Sequence, residues 1–435
     1  MFERQKWIYR SCICLLLIGY ICLGHYLITS TNSYRPTDQK KARLVMAVPA
    51  AQHSDKIYTD IISEFEKKNP DINVELQTIA GNYYQKLLVM IAGNVAPDLM
   101  WMGQSFSEFA DRRVFLDLTD RITKDPDIKL DDYQQAVLNW YIRDKRMYAL
   151  PFGIDIGFIA YNKELFRKVG IAYPSDDWTF EEFLVIAKNL TMEAENGKPK
   201  RYGFHGKIDL GVFGAQIISH DGKQEIMCNS PEMIKYFRTN MSLYKDWKTT
   251  PRPQENMMQG LDRYSYFAQE RTAMMVFYTW DLPFMLARFG ELDWDIVSNP
   301  KVKQKAQWAS SQAIAISGNT KHPDEAWKLF KEFQSKEFMI AMSYCSFPPN
   351  LRYAEAAVER RIGKPENYRG FLKMITYLSP TPRVPHLQEL MAMYFNASEK
   401  IWVERATPEE AMTRLEKELK EKITRNTVLK IEGNK

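Results

Sequence analysis

The sequence predicts an α/β fold divided into two lobes. Near the start of the chain, apolar strands at 42–50, 72–79 and 96–102 alternate with helical segments at 56–70 and 82–94. Such alternation is typical of a mainly parallel sheet flanked by helices. The length of 435 residues exceeds what one core usually holds, because domains average roughly 150 residues. The hydrophobic share of 45% is that of a globular chain.

Each predicted element has a local signal. The first strand, "ARLVMAVPA", is a short apolar run, and the second, "INVELQTI", alternates apolar and polar residues as a half-buried strand does. Thr179 and Glu182 have the spacing of a capping box at the start of "FEEFLVIAKNL", which predicts a helix there. Ser230 and Thr407 are each followed by proline, a common beginning of a helix.

Residues 1–30 have the pattern of an export signal. Basic residues precede an apolar run from Cys12 to Ile28, which at about 17 residues is just long enough to span a bilayer. A clear small-residue cleavage site is missing, so a cleaved signal peptide and a retained N-terminal membrane anchor both stay open. A polar linker, 31–41, follows. Either alternative puts the chain in the periplasm or on the extracytoplasmic face of the cell membrane, with membrane contact only through this segment.

Composition argues against several classes of function. The net charge is only +5 and the two signs are interleaved, so no nucleic-acid partner is expected. The six histidines lack metal-ligand spacing, and neither a metal site nor a cofactor is predicted. Beyond the export segment the cysteines are Cys228 and Cys345, which leaves one disulfide or two buried thiols open. The aromatic share of 13% exceeds what packing requires, so a ring-shaped ligand such as a carbohydrate comes into question.

Several motifs occur in an informative order. They are "EFEKKNPDINVE", "APDLMWM", "YALPFGIDIGFIAYNKELFRKVGI" with "WTFEEF" after it, "AMMVFYTWDLPFM", "AIAISGNTKHPDEAWKLFKEF" and "TPEEAM". In this order and spacing, the chain resembles the bacterial extracellular solute-binding proteins of ATP-binding-cassette (ABC) importers, in the sugar-binding branch that is similar to maltose-binding proteins. The resemblance covers most of the chain that follows the linker.

The resemblance implies a type II periplasmic-binding-protein fold, in which each lobe is a mainly parallel sheet flanked by helices and hinge strands cross between the lobes. The implied N-terminal lobe comprises 42–152 and 309–355, and the implied C-terminal lobe comprises 153–308 and 356–435. The crossings are expected near Pro151 to Asp155, near Trp308 to Ala315, and after Pro349. The absence of a flexible interdomain linker from the sequence agrees with ordered crossings.

Asp155 is a conspicuous candidate for the binding site. It is a lone carboxylate in an apolar run, between two glycines. The resemblance implies that it enters the cleft at the first crossing, where a carboxylate accepts strong hydrogen bonds from two sugar hydroxyls. The alternative is that Asp155 bonds backbone amides at the hinge.

The resemblance also implies aromatic side chains that stack on the ligand. Trp280 in "YTWD" matches the family position where an aromatic residue of the second lobe lies against the sugar ring, with Tyr278 and Asp281 beside it. Trp308 offers a second platform at the second crossing, and Phe213 lies where the family brings a further aromatic region. A core role is the alternative for the tryptophans.

Polar residues after two predicted strands complete the predicted site. Gln52 and His53 follow the first strand, and Gln104 and Ser105 follow the third. Because ligands collect at the carboxyl ends of strands in such sheets, these side chains are expected to face the cleft. No catalytic residue is predicted among them.

The predicted function is an extracytoplasmic receptor that captures a sugar or oligosaccharide, closes by hinge motion and delivers the ligand to the transmembrane subunits of an ABC permease. A monomer is expected. Two alternatives stay open. An exported glycan-acting enzyme needs two carboxylates about 5 to 10 Å apart, for which Asp155 and Asp281 are candidates. A ligand-sensing input protein docks on a membrane receptor instead of a permease.

Overall fold

The computed structural model describes residues 41–50, 54–193, 199–219, 225–253, 255, 262–379 and 387–432. The predicted export segment, nearly all of the linker, and the predicted site residues Gln52 and His53 lie outside these ranges. Across the described ranges, every helix is too short or too polar to traverse a bilayer.

The secondary structure mixes strands and helices along the whole described chain. The strands are β1 (Ala42–Pro49), β2 (Ile72–Ile79), β3 (Leu99–Met102), β4 (Ile142–Arg143), β5 (Arg146–Met147), β6 (Ala149–Asn162), β7 (Met192–Glu193), β8 (Pro199–His205), β9 (Thr272–Tyr278), β10 (Trp294–Val297) and β11 (Ala309–Ile316). The helices are α1 (Asp55–Lys68), α2 (Tyr83–Ala92), α3 (Phe106–Asp111), α4 (Thr119–Lys124), α5 (Gln135–Leu138), α6 (Lys163–Val169), α7 (Phe180–Leu190), α8 (Pro231–Lys245), α9 (Arg263–Ala268), α10 (Leu282–Arg288), α11 (Pro323–Glu332), α12 (Lys336–Met342), α13 (Leu351–Arg360), α14 (Gly370–Met374), α15 (Leu387–Trp402) and α16 (Pro408–Glu432).

The local signals of the sequence are confirmed where the structure describes them. The Thr179 N–H donates to Glu182 Oε2 at 2.7 Å, and the Glu182 N–H donates to Thr179 Oγ1 at 3.2 Å, which completes the capping box of α7. Ser230 Oγ accepts from the N–H of Met233 at the start of α8. Capping of this kind satisfies N–H groups that have no partner inside the helix.

One long sheet connects most of the strands, in the order β2-β1-β3-β11-β6-β9-β8-β7, with β10 also paired to β6. β1 is parallel to β2 and β3, and β8 is parallel to β9. The strands at the centre pair antiparallel, β11 with β3 and β6, and β6 with β9 and β10. The sheet as a whole is mixed, because β6 and β11 run through its middle in opposite directions. On either side of them the predicted parallel pairing is present, between β1, β2 and β3 and between β8 and β9.

β6 joins the two halves of this sheet. Its residues 149–156 pair with β11, and residues 157–161 pair with β9. All 14 residues of β6 are buried, which explains why the segment is apolar throughout instead of alternating. The predicted first and second crossings fall on β6 and β11.

A third segment lies against β6 near the same point. The Ile154 N–H donates to Phe347 O at 2.6 Å, and the Phe347 N–H donates to Ile154 O at 2.8 Å. The sequence predicts the third crossing after Pro349, and Phe347 lies two residues before that proline. Three stretches of chain thus meet around Asp155.

The buried apolar residues form separate cores. The first core contains residues between 44 and 152 and between 313 and 345, and the second core contains residues between 159 and 306 and between 387 and 419. A middle core draws on residues from both predicted lobes, including Ile154 and Phe347. The lobe boundaries stay a prediction, since no single residue of the middle core marks the division.

The two cysteines of the described chain are free thiols. Cys228 is buried in the second core and Cys345 in the first. Of the two alternatives left open by the sequence, the structure has the buried thiols and no disulfide between these residues.

Candidate ligand-binding site

Three aromatic rings form a cluster where β9 ends and β11 begins. Tyr278 and Trp280 are stacked, with ring centroids 4.4 Å apart and planes at 15°. Trp308 meets both rings edge-on, at 4.9 Å from Tyr278 and 5.6 Å from Trp280. All three side chains are only half-buried. This aromatic cluster brings together three of the residues that the sequence predicts for the site.

Asp281 holds the turn that carries Tyr278 and Trp280. It is 1% exposed. Its carboxylate accepts the Tyr278 N–H at 2.8 Å and the Tyr264 hydroxyl at 2.7 Å, and it lies 3.4 Å from the Arg263 guanidinium. These bonds turn the chain sharply between β9 and α10, so that Trp280 projects from a 3₁₀ turn. The geometry gives Asp281 a supporting position behind the rings.

Gly157 provides the space in which the aromatic cluster packs. A Cβ atom at this position would lie 3.2 Å from Tyr278 Cε1 and 3.7 Å from Trp308 Cβ. Gln307 Nε2 donates to the carbonyl of Gly157, and the Gly157 N–H donates to Trp308 O at 3.0 Å. One of the two glycines beside Asp155 therefore has a packing role.

A cavity of about 370 Å³ lies beside the aromatic cluster and shares Trp308 with it. Its walls come from residues within 209–217, 304–309, 377–379 and 387–395. Gln104, which follows β3, lines the cavity from the side of the first core. The volume is in the range of small-molecule sites, which usually enclose about 300–1,000 Å³.

The cavity combines apolar walls with a few polar groups. Phe395 lines it and is 59% exposed. Asp209 also lines it, and Asp209 Oδ1 accepts the Gly211 N–H at 2.6 Å. Burial raises the pKa of Asp209 to about 6, while backbone hydrogen bonds oppose that rise. Ser379 Oγ is buried in the wall, and within the described chain it has no hydrogen-bond partner. A hydroxyl and a carboxylate in an apolar setting suit a ligand with hydroxyl groups.

Asp155 does not line this cavity and lies at the point where β6, β11 and the third segment meet. It is 5% exposed. Gln312 Nε2 donates to both carboxylate oxygens, at 2.9 and 3.1 Å. Ser346 Oγ donates to Oδ1 at 3.0 Å, and Ser310 Oγ donates to Oδ2 at 3.2 Å. Burial raises the pKa of Asp155 to about 6 despite these hydrogen bonds. These hydrogen-bond donors are side chains. The alternative drawn from the sequence expects donation by backbone amides at the hinge instead.

The other predicted site residues are dispersed. Gln104 is exposed at the cavity. Ser105 is 2% exposed and precedes α3 without capping it. Phe213 is 1% exposed, and its ring packs edge-on against Tyr236 in the second core at 5.7 Å. Phe213 is thus buried among apolar side chains instead of lining the cavity.

Sequence reasoning missed several residues of the cavity wall. Gln304, Ser379 and Phe395 line it, yet none lies in a motif that signals binding. They come from segments far apart in the chain, and only the folded arrangement brings them together. The one available signal is Trp308 itself, directly before the start of β11, which marks the region but not these side chains. Within the described ranges, no group of acidic, cysteine or histidine side chains is arranged to hold a metal ion.

Comparison with known proteins identifies the family. The family model described as bacterial extracellular solute-binding protein matches residues 50–340, more than half of the 435 residues. The chain belongs to this family. The resemblance that the motifs indicate is therefore confirmed, and the family is one of extracytoplasmic proteins. Cleavage of residues 1–30 and anchoring by them stay predictions.

Relatives and solved structures agree with this assignment. The multiple sugar-binding protein of Streptococcus mutans is 21% identical over 340 residues, which cover 72% of this chain and 77% of that protein. An ABC substrate-binding protein of Listeria monocytogenes, solved in complex with cycloalternan, matches with a TM-score of 0.77 at 25% identity, covering 88% of this chain and 99% of that one. The sugar-binding protein MalE of Xanthomonas citri matches with a TM-score of 0.75 at 17% identity. The match covers 89% of this chain and 99% of that one. The predicted type II periplasmic-binding-protein fold is confirmed.

This solute-binding protein is not an enzyme, since its family and its structural neighbours are binding proteins. The alternative of a glycan-acting enzyme is thereby excluded. The structure gives a physical reason as well. Asp155 and Asp281, the carboxylates that such an enzyme would use, are both buried and accept hydrogen bonds from protein groups.

Proposed function

We propose that this protein is a receptor that captures a sugar or oligosaccharide outside the cytoplasm and delivers it to an ABC permease after closing around it. The observation that carries the proposal is the half-buried aromatic cluster beside the cavity that contains Asp209 and Ser379. The names of the relatives agree, because they include a multiple sugar-binding protein and a binding protein solved with cycloalternan.

The aromatic cluster suits a carbohydrate for a physical reason. One face of a pyranose ring consists largely of C–H groups, and such a face packs flat against an aromatic ring. The edges of the sugar carry hydroxyls, which need hydrogen-bond partners once they leave water. Trp280 and Trp308 supply the flat surfaces, and Asp209 supplies a partner for the hydroxyls.

Closure follows from the division of the site between two parts of the molecule. Gln104 belongs to the first core's side. Asp209 adjoins Ile208 of the second core, and Trp280 follows β9, which contributes residues to that core. A ligand that touches both sides favours the arrangement in which both sets of contacts exist at once. We assign the lobes as 42–152 with 309–355, and 153–308 with 356–435. A permease then distinguishes the closed form from the open form.

Binding of the full chain to a panel of mono- and oligosaccharides tests the proposal. We expect at least one sugar to raise the melting temperature and to bind with a measurable Kd by calorimetry. Trp280→Ala is expected to weaken that binding by roughly thirtyfold, about 2 kcal/mol of lost contact area. The melting temperature without ligand should change little, because Trp280 is only half-buried.

Trp327→Ala is the matched control for this experiment. Trp327 is also half-buried, but it lies on α11 and stacks on Phe330. We expect the control variant to bind the sugar as the wild type does. The proposal fails if no sugar binds, or if both variants lose affinity to the same extent.

Delivery needs a separate test, in which the sugar-loaded protein is added to a reconstituted permease and ATP hydrolysis is measured. We expect the loaded protein to stimulate hydrolysis, and a sensor role is favoured if no permease responds.

A further inference from the structure

We propose that Asp155 is a positioning residue that ties together the three segments meeting at the hinge, and that it sets ligand affinity without touching the ligand. The proposal rests on the receptor function above, because hinge geometry controls binding only if the two sides of the site move. It gives Asp155 a different role from that of a carboxylate in the cleft.

The hydrogen bonds of Asp155 connect three separate stretches of chain. Asp155 itself is on β6, Ser310 and Gln312 are on β11, and Ser346 is on the third segment. An ionised carboxylate has about four positions at which it accepts hydrogen bonds. Each oxygen here accepts two of them, one from the Gln312 amide and one from a serine hydroxyl.

No acceptor position of Asp155 is left for a sugar hydroxyl. The side chain is 5% exposed, and Ser346, which covers Oδ1, is 1% exposed. Asp155 does not line the cavity that holds Asp209 and Ser379. A ligand would have to break an existing charge-assisted bond to reach it, and such bonds are stronger than neutral ones.

The residue before Ile154 shows that β6 is shaped to admit the third segment. A Cβ atom on Gly153 would lie 2.4 Å from Ser346 Oγ, so only glycine leaves room for that hydroxyl. Ile154 and Phe347 exchange backbone hydrogen bonds directly beside it. The glycine, the serine and the carboxylate therefore form one packed unit.

Gln312 extends the tie to the wall of the first core. Its Oε1 accepts the Trp101 indole N–H at 3.3 Å, while its Nε2 donates to Asp155. Trp101 is on β3, directly before the loop that presents Gln104 to the cavity. A change at Asp155 can thus move the first-core side of the site, although Asp155 lies outside it.

Hydrogen exchange measured by mass spectrometry on the ligand-free full chain tests the tie without any sugar. We expect Asp155→Asn and Ser346→Ala to accelerate amide exchange in 149–156 and 309–316 by roughly tenfold or more. The first variant removes the charge that strengthens the hydrogen bonds, and the second removes one bond to that charge. Exchange in β1 and α8 should stay as in the wild type. Ser335→Ala is the control, because it removes the cap of α12 and leaves the hinge bonds in place.

Sugar affinity of the same variants separates the two roles of Asp155. A tie predicts that Ser346→Ala weakens binding by roughly threefold to tenfold, although Ser346 cannot reach a ligand. The proposal is overturned if Asp155→Asn weakens binding while hinge exchange and the affinity of Ser346→Ala equal those of the wild type. It is also overturned if exchange rises uniformly along the chain. If the wild type binds no sugar but hinge exchange accelerates as expected, the receptor function fails and the tie stands.

Discussion

At the scale of single residues, Asp155 carries a charge in a place where ionisation is costly. Burial raises its pKa from the ordinary 3.8 to about 6, and the hydrogen bonds from three side chains only partly offset this rise. Buried charges of this kind often reduce stability while they favour one specific arrangement. Three titratable groups on neighbouring elements interact with the carboxylate: Tyr58, Tyr141 and Cys345. Burial raises the pKa of each of them, and the charge of Asp155 adds to that rise.

Asp155→Asn should change the pH dependence of stability in a defined direction. Well below pH 3.8 the carboxyl is protonated in both folded and unfolded chains, whereas above about pH 6 the folded chain must hold the buried charge. The wild type therefore loses about 2 kcal/mol from this group as the pH rises from 4 to 7. Asp155→Asn lacks this loss. The free energy of unfolding of the variant, relative to that of the wild type, should therefore increase over the same pH range.

Urea unfolding of both proteins at a series of pH values measures this difference. Other titrating groups are common to both proteins and cancel in the comparison. A difference in free energy of unfolding that stays constant between pH 4 and 7 would contradict the raised pKa of Asp155.

Two carboxylates illustrate what the sequence reveals at this scale. Asp155 stands out as a lone acid in an apolar run, whereas Asp281 is indicated by the family resemblance of "YTWD". Their partners do not stand out. The hydrogen bonds of Asp155 reach 157 residues along the chain to Gln312 and 191 residues to Ser346. Local sequence patterns cannot encode contacts over such distances. The two aspartates could therefore be singled out from the sequence, but their hydrogen-bond partners could not.

At the scale of elements, β6 links the hinge to the aromatic cluster. The same strand presents Asp155 to β11 and, two residues later, leaves the gap at Gly157 that Tyr278 fills. The strands and helices themselves were predictable, because β2 alternates and α7 carries a capping box. The order of strands in the sheet was not, since pairing between β6 and β11 depends on contacts far apart in sequence.

Gly157→Ala tests the packing of the aromatic cluster against β6. The new methyl group would lie 3.2 Å from the Tyr278 ring, closer than ordinary contact, so the ring must shift. Overpacking of this kind costs about 1–3 kcal/mol of stability. We expect sugar affinity to fall as well, because Tyr278 stacks on Trp280.

Gly93→Ala is the matched control, because a Cβ atom there meets its nearest neighbour at 3.4 Å, an ordinary contact. Thermal unfolding and calorimetric titration of both variants provide the measurement. Equal melting temperatures and affinities for the two variants would show that Gly157 is not needed for the position of the cluster.

At the scale of the whole molecule, ordered strands instead of a flexible tether join the two halves of the site. The sheet is continuous through β3, β11, β6 and β9, and the proposed hinge closure requires the halves to rotate about this narrow region. The tie at Asp155 and the glycine gap at 157 both lie in that region. The proposed function and the proposed role of Asp155 together predict that affinity depends on the geometry of these strands as well as on the aromatic cluster.

Small-angle X-ray scattering of the full chain measures closure directly. One compact body of 435 residues has a radius of gyration of roughly 22 Å, and an open two-lobed molecule exceeds that value. We expect a saturating sugar to lower the radius of gyration, since the ligand stabilises the arrangement in which Gln104 and Trp280 both contact it. Trp280→Ala at the same sugar concentration should keep the ligand-free value. An identical radius with and without saturating sugar would contradict hinge closure, even if the sugar binds tightly.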